Sequence, residues 1–361
     1  MSSILTYMEG IQATTLRGRG AQFNPDNRFH AQHRAVLYPE GIDEHEQSSP
    51  DTQFFREFPK KILNKVDSPD VGMLWSVNPY QGCEHGCVYC YARNSHQYWG
   101  FSAGLDFESR IMVKPEAPRL LEATFMDPKW VPSPVSFSGN TDCYQPAERK
   151  WKITRELLKV CLKFRNPVGI VTKNSLILRD LDILQQLAAL NLVQVMISMN
   201  GIHEKTREKL EPRTATYKKR LEVMETLSSH GIPVQVLVAP VIPGLNDHEL
   251  PEVIRRAAKH GASDAGYIVL RLNGAVSVIF EDWIRKTFPG MADKVLSQVC
   301  DLHGGKLNDS RFGTRMKGEG QWAETIRRMY TITREKYFGD REKVSLDLSA
   351  FRRPGQLQLS F

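Results

Sequence analysis

Between Trp75 and Asn273, short runs rich in β-branched residues alternate with longer segments of helical periodicity. "LWSVNPY", "PVSFSG", "PVGIVTK", "LVQVMISMN", "IPVQVLVAP" and "AGYIVLRLN" predict six strands. Between them, "SLILRDLDILQQLAAL", "TYKKRLEVMETLSSHG" and "DHELPEVIRRAAKHG" predict helices, the last two stopped by Gly231 and Gly261. Strands that alternate with helices pair in parallel through right-handed crossovers, so the chain is expected to form an α/β fold, a partial (β/α)6 barrel. The polar and glycine-rich residues follow the strands: "SGNTD", "TKNS", "SMNG", "APVIPGLND" and "RLNG". Active sites of barrels and open α/β sheets are built at that rim.

The flanks read differently. Residues 1–70 are irregular and carry Arg17, Arg19 and Arg28 among glycine and asparagine, followed by the polar run "IDEHEQSSPDTQ", an arm expected to wrap the main domain. Residues 71–275 make the barrel. In 276–361 the alternation fades into helical segments around "FEDWIRKTFPGMADKVLSQV" and "AETIRRMYTITREKYFG". Between these lies "HGGKLNDSRFGTRMKGEG", a basic loop that is either a lid over the rim or a surface connector.

Composition narrows the function classes. A chain of 361 residues, 41% hydrophobic and 25% charged, has the makeup of a water-soluble globular protein, and its longest apolar run is too short to span a bilayer. The opening "MSSILTYMEG" lacks signal-peptide features, so the expected location is cytoplasmic. A net charge of +7 allows a nucleic-acid or phosphate partner without demanding one. Six cysteines in so long a chain make no disulfide framework, and three of them are clustered.

That cluster is "NPYQGCEHGCVYCYAR". Cys83, Cys87 and Cys90 are spaced C-x3-C-x2-C, and seven chain steps reach at most roughly 25 Å, so a loop can aim all three sulfurs at one centre. Zinc would need a fourth ligand, which His85 or His96 could supply in a zinc-stabilised nucleic-acid-binding protein. An iron–sulfur cluster would be left one protein ligand short. Cys161, on the apolar side of a helix with Leu157 and Phe164, reads as structural, and Cys300 likewise; only Cys143 lies near a rim loop.

The C-x3-C-x-aromatic-C spacing, ahead of a run of β/α units, resembles the radical S-adenosylmethionine superfamily. "TDCYQPAER", "VTKNS", "ISMN" and "EPRTATYKKRLE" resemble its branch related to spore photoproduct lyase. The resemblance implies a partial barrel of the radical SAM type in which Cys83, Cys87 and Cys90 hold a [4Fe–4S] cluster. Its open iron chelates S-adenosylmethionine, which is cleaved to methionine and a 5′-deoxyadenosyl radical. A one-electron donor of flavodoxin or ferredoxin type is implied as partner. By the same resemblance Tyr89 lies near the adenine, Ser138, Gly139, Asn140 and Thr141 receive the methionine amino group, and Lys173 and Ser198 meet the carboxylate or ribose. Arg213 could serve likewise or pair with Glu211, and Val241 and Ile242 would pack on adenine. The hydrogen-donating cysteine of the lyase matches Gly139 here; Cys143 is the candidate substitute donor. Tyr91, Arg93 and His96, following the loop, are candidate substrate contacts or packing residues.

Overall fold

The computed structural model describes residues 16–29, 51–341 and 344–355. The opening segment and most of the polar run lie outside the described residues.

Ten strands occur among the described residues: β1 (Gln53–Arg56), β2 (Leu63–Lys65), β3 (Trp75–Val77), β4 (Tyr80–Gln81), β5 (Arg110–Val113), β6 (Val135–Phe137), β7 (Val168–Thr172), β8 (Val193–Ser198), β9 (Val234–Val241) and β10 (Ala265–Val269). Seven form one sheet in the order β10-β9-β8-β7-β6-β3-β2. Six of these are parallel and follow chain order, as right-handed β/α crossovers dictate. The seventh, β2, adds an antiparallel edge on β3. The sheet order ends at β10 and β2, so the barrel is open, as the strand–helix alternation predicts.

Each long strand alternates buried and half-buried positions, as in "VGIVT" of β7 and "VQVLVAPV" of β9. The outer helices supply matching stripes. In the helix Ile153–Phe164, Ile153, Leu157, Val160, Cys161 and Phe164 are buried at helical spacing, which places the Cys161 thiol in the core.

Two features depart from the sequence reading. The stretch before residue 70, read as irregular, carries two strands: β1 pairs in parallel with β5, which pairs antiparallel with β4 in a small second sheet, and β2 joins the barrel. Short exposed strands give almost no hydrophobic alternation to read. The basic loop after residue 302 runs along the outer edge of β10, where Val269 N donates to Met316 O at 3.0 Å and Leu272 N to Leu307 O at 3.2 Å. It covers an otherwise unpaired sheet edge. Several cations of this loop and of the helix after it have protein partners: Arg311 on Asp309 and Glu319, Arg315 on Asp70, Lys317 on the Tyr267 carbonyl, and Arg327 on Glu324. Among the described residues no helix is long and apolar enough to cross a membrane.

Candidate active site at the cysteine loop

The loop Cys83–Cys90 leaves β4 at the rim and is gripped from behind. Its backbone is tied by Cys83 N to Phe107 O (2.9 Å), Val88 N to Leu210 O (3.1 Å) and Arg213 N to His85 O (3.2 Å). Behind it lies a fully buried ion pair, Arg93 Nη2 to Glu108 Oε1 at 2.5 Å, and Arg93 Nε donates to the Cys87 carbonyl at 3.0 Å. The same Glu108 carboxylate accepts from Gly20 N (3.1 Å) and Ala21 N (2.8 Å), while Arg19 donates to the Glu108 carbonyl (2.8 Å). The expected arm is therefore, over residues 16–29, a strap across the back of the cysteine loop. The approach is so close that a Cβ on Gly20 would come within 1.7 Å of Gly86 O.

The front of the loop faces the strand ends. Tyr89 donates its hydroxyl to Glu211, and Lys173 Nζ lies 6.0 Å from the Tyr89 ring centroid. Glu211 pairs with Arg220, not with Arg213. Arg220 also donates to the Ser198 carbonyl at 2.8 Å and to Thr214 Oγ1 at 2.6 Å. Burial alone would lower the Lys173 pKa, but Cys87, Glu211 and Asp142 outweigh it and hold the ammonium charged. Burial likewise opposes ionisation of Glu211, yet Arg220 and Lys173 bring its pKa below the usual range. Asp142 accepts from Thr172 Oγ1 (2.8 Å) and Lys173 N (2.9 Å) and faces His85 Nδ1 at 3.4 Å.

At the end of β6, Asn140 N donates to Asn78 Oδ1 (2.7 Å), Asn140 Nδ2 to Gln81 Oε1 (2.9 Å) and Thr141 Oγ1 to the Tyr80 carbonyl (2.8 Å). Gly139 passes so close to β3 that a Cβ would meet Ser76 Cβ at 2.8 Å, and its carbonyl accepts from the Tyr91 hydroxyl. Ser138 takes a left-handed backbone (φ 74°) and accepts from Cys143 N at 2.9 Å. The Ser198 hydroxyl turns to the Ala239 carbonyl, 3.3 Å away. Ile242 is fully buried in an apolar cluster with Val88, Leu210 and Leu270, against which Tyr89 packs. Arg213 is half-buried beside Gly18 of the strap, its Nε 3.6 Å from where a Gly18 Cβ would stand. Cys143 is fully buried in the main core, where burial and the neighbouring Asp142 push its pKa well up.

The thiols fit an iron–sulfur cluster. All three are free. Burial pushes each pKa upward, and Cys83 is raised further by Asp142 and by charge on Cys87 and Cys90. Thiols so held ionise when a cationic centre compensates them. Three thiolates can each take one iron of a cuboidal cluster and leave the fourth iron without a cysteine ligand. The two histidines considered for zinc are engaged elsewhere. His85 Nε2 lies 3.1 Å from Asn174 Nδ2 and its Nδ1 faces Asp142; His96 packs between the rings of Phe101 and Phe107. On the rim side, polar atoms of Glu84, Asn200, Arg271 and Asn273 are buried without a hydrogen-bond partner. Each costs about 1–3 kcal/mol unmet, so these positions suit ligand groups.

Comparison with known proteins agrees. The profile of the Radical SAM superfamily matches residues 77–257. The chain belongs to the radical SAM superfamily. This radical SAM protein is 30% identical over 240 residues to an uncharacterised protein of Mycobacterium tuberculosis, covering 65% of this chain and 70% of the relative. It is 30% identical over 190 residues to an uncharacterised protein of Methanocaldococcus jannaschii, covering 53% and 68%. Among solved structures its fold is similar to spore photoproduct lyase, with a TM-score of 0.58 at 15% identity over 79% of each chain. The lyase has been solved with dinucleoside spore photoproduct and with AdoMet. Membership makes the protein an enzyme of SAM-dependent radical chemistry, with a [4Fe–4S] cluster and S-adenosylmethionine as cofactors. The sequence motifs pointed to the cysteines and the strand ends; "SGNTD", "EPRTATYKKRLE" and "RLNG" contain Asp142, Arg220 and Arg271 without singling them out, and Glu108 lies in none of them. Nothing in a lone charged residue marks it as the partner of another that is far away in sequence.

Proposed function

We propose that this enzyme cleaves S-adenosylmethionine reductively and passes the 5′-deoxyadenosyl radical to a phosphate-bearing substrate of nucleic-acid type, in the cytoplasm, with a flavodoxin or ferredoxin as electron donor. The observation that carries the reading is a loop of three free thiols, spaced C-x3-C-x2-C, at the carboxyl rim. When bound, the cluster supplies the electron that breaks the sulfonium bond. The chain's own residues position and insulate. Cys83, Cys87 and Cys90 hold the cluster. Lys173, kept charged, meets the methionine carboxylate. Ser138, Gly139, Asn140 and Thr141 receive the amino group on close-packed backbone, and Ser198 and Arg213 contribute to ribose or carboxylate binding. Tyr89 and Ile242 present apolar surface to the adenine. Cys143, expected as a hydrogen donor, is enclosed in the core, and a thiol with no exposure is suited to packing. With Gly139 in the matching position, photoproduct reversal is not the reaction proposed.

Support for a nucleic-acid substrate comes from the net charge of +7 and the likeness in fold to a lyase that binds a dinucleoside. The decisive experiment is anaerobic purification with iron and sulfide analysis, followed by reduction with S-adenosylmethionine and deuterated candidate substrates. Brown protein that forms 5′-deoxyadenosine, carrying deuterium from a nucleic acid, is the expected result. Colourless, zinc-loaded protein that forms none would overturn the reading. Cys87→Ala should lose colour and cleavage together.

A further inference from the structure

Just past the last strand stands an arginine that makes no ion pair among the described residues. Beyond β10 the chain continues through Leu270, whose N–H donates to Val241 O at 2.9 Å, so Arg271 stands at the carboxyl rim. Among the described residues its Nε is buried with no hydrogen-bond partner, and its Nη1 reaches only the thioether of Met316, at 3.3 Å. A thioether is a weak acceptor and carries no charge. Nearby carboxylates are committed elsewhere. Asp70 binds Arg315 Nε at 2.5 Å and Gly313 N at 2.7 Å, and Asp309 binds Arg311 at 2.8 Å and Thr314 Oγ1 at 2.9 Å. Arg315 adds a second positive charge nearby, and burial and Arg315 push the Arg271 pKa down against the pull of Tyr91, Asp70 and Asp309. A half-buried guanidinium with one neutral contact is costly to keep unless something anionic arrives to meet it.

Its surroundings say what arrives. Tyr91, which follows Cys90, is half exposed, with its hydroxyl anchored on the Gly139 carbonyl. The loop after Arg271 is fixed to the same helical segment, since Asn94 Nδ2 donates to Asn273 O at 2.7 Å and Asn94 Oδ1 accepts from Ala275 N at 2.9 Å. The rim thus offers a cationic fork and, near it, an exposed aromatic ring whose position is set. A phosphate suits the fork and a base suits the ring.

We propose that Arg271 is the substrate anchor, binding a phosphate group of the substrate at the mouth of the barrel beside Tyr91. This deepens the nucleic-acid reading and rests on it for the source of the phosphate, while the anchor itself requires only the phosphate. The test uses full-length, iron-loaded protein with S-adenosylmethionine present and two probes: a fluorescent single-stranded thymidine decamer and inorganic pyrophosphate. Arg271→Gln should weaken both on the order of tenfold or more, and the salt dependence of decamer binding should flatten by about 0.7 in the log–log slope. Arg271→Lys keeps the charge and should restore the slope while recovering only part of the affinity. Iron content equal to wild type in both variants certifies their folds; should the glutamine variant fail to load iron, the lysine variant alone carries the test through its partial loss of affinity. If pyrophosphate binding falls in the variant but no form binds the decamer, the anchor stands and the nucleic-acid reading fails. Unchanged affinity for both probes in Arg271→Gln, or wild type that binds neither, overturns the anchor.

Discussion

The two sides of the cysteine loop are built on opposite principles. Behind it, Arg93, Glu108, Gly20 and Ala21 satisfy one another with short bonds, and the ion pair at the centre is wholly excluded from solvent. In front, Glu84, Asn200, Arg271 and Asn273 keep buried polar atoms unmet. Behind the loop the charged groups are paired and the His96 ring nitrogens alone among the residues named there lack a partner, whereas in front charged and amide groups are left for a ligand to complete. The contrast separates residues that hold the cofactor loop from residues that receive small molecules, and it can be attacked from either side.

Removing the hub should have the largest effect. Glu108→Ala strands the buried Arg93 charge and frees the strap, at a cost of roughly 3–5 kcal/mol, read as a lowered denaturation midpoint together with lost iron. Acid acts on the same side through His96, packed between Phe101 and Phe107. Burial lowers its pKa to about 4 from 6.5, against the opposing pull of the Asp106 and Arg110 backbones. The folded state therefore binds fewer protons than the unfolded chain between those values, and stability should decline by about 3 kcal/mol as pH falls from 6.5 to 4. In His96→Phe, denaturant titrations across that window should lose this component of the slope. Gly20→Ala forces a methyl against the Gly86 carbonyl and should cost about 1–3 kcal/mol, with faster loss of iron to a chelator.

On the open side the signature reverses. Lys173→Gln should leave iron content intact yet weaken S-adenosylmethionine binding on the order of tenfold, measured by equilibrium dialysis. If iron were lost instead, Lys173 would belong with the holding residues and the division would blur. Least of all, Lys286→Ala, which breaks a surface pair with Asp282, should change stability by at most about 0.5 kcal/mol.

Much of this was legible beforehand. The six parallel strands announced themselves through β-branched runs such as "VGIVT", and the site through polar residues grouped behind each strand. Cysteine spacing is local, so C-x3-C-x2-C was readable as a metal loop. The strap was not, because Gly20 and Glu108 are ordinary residues 88 positions apart whose meeting is decided by tertiary structure. The same holds for Glu211, where Arg213 is the sequence neighbour but Arg220, one helix start further on, takes the carboxylate. β1 and β2 were missed because three or four residues facing solvent leave no periodicity to count.

The strap also imposes an order of events on the growing polypeptide. Gly20 leaves the ribosome first, then the three thiols, and only some eighteen residues after Cys90 does the carboxylate that fastens the strap exist. Closing a circuit of 88 residues costs about 4 kcal/mol in chain entropy, which the bonds at Glu108 must recover. A newly made chain therefore displays its cysteines unclasped before it can shut behind them.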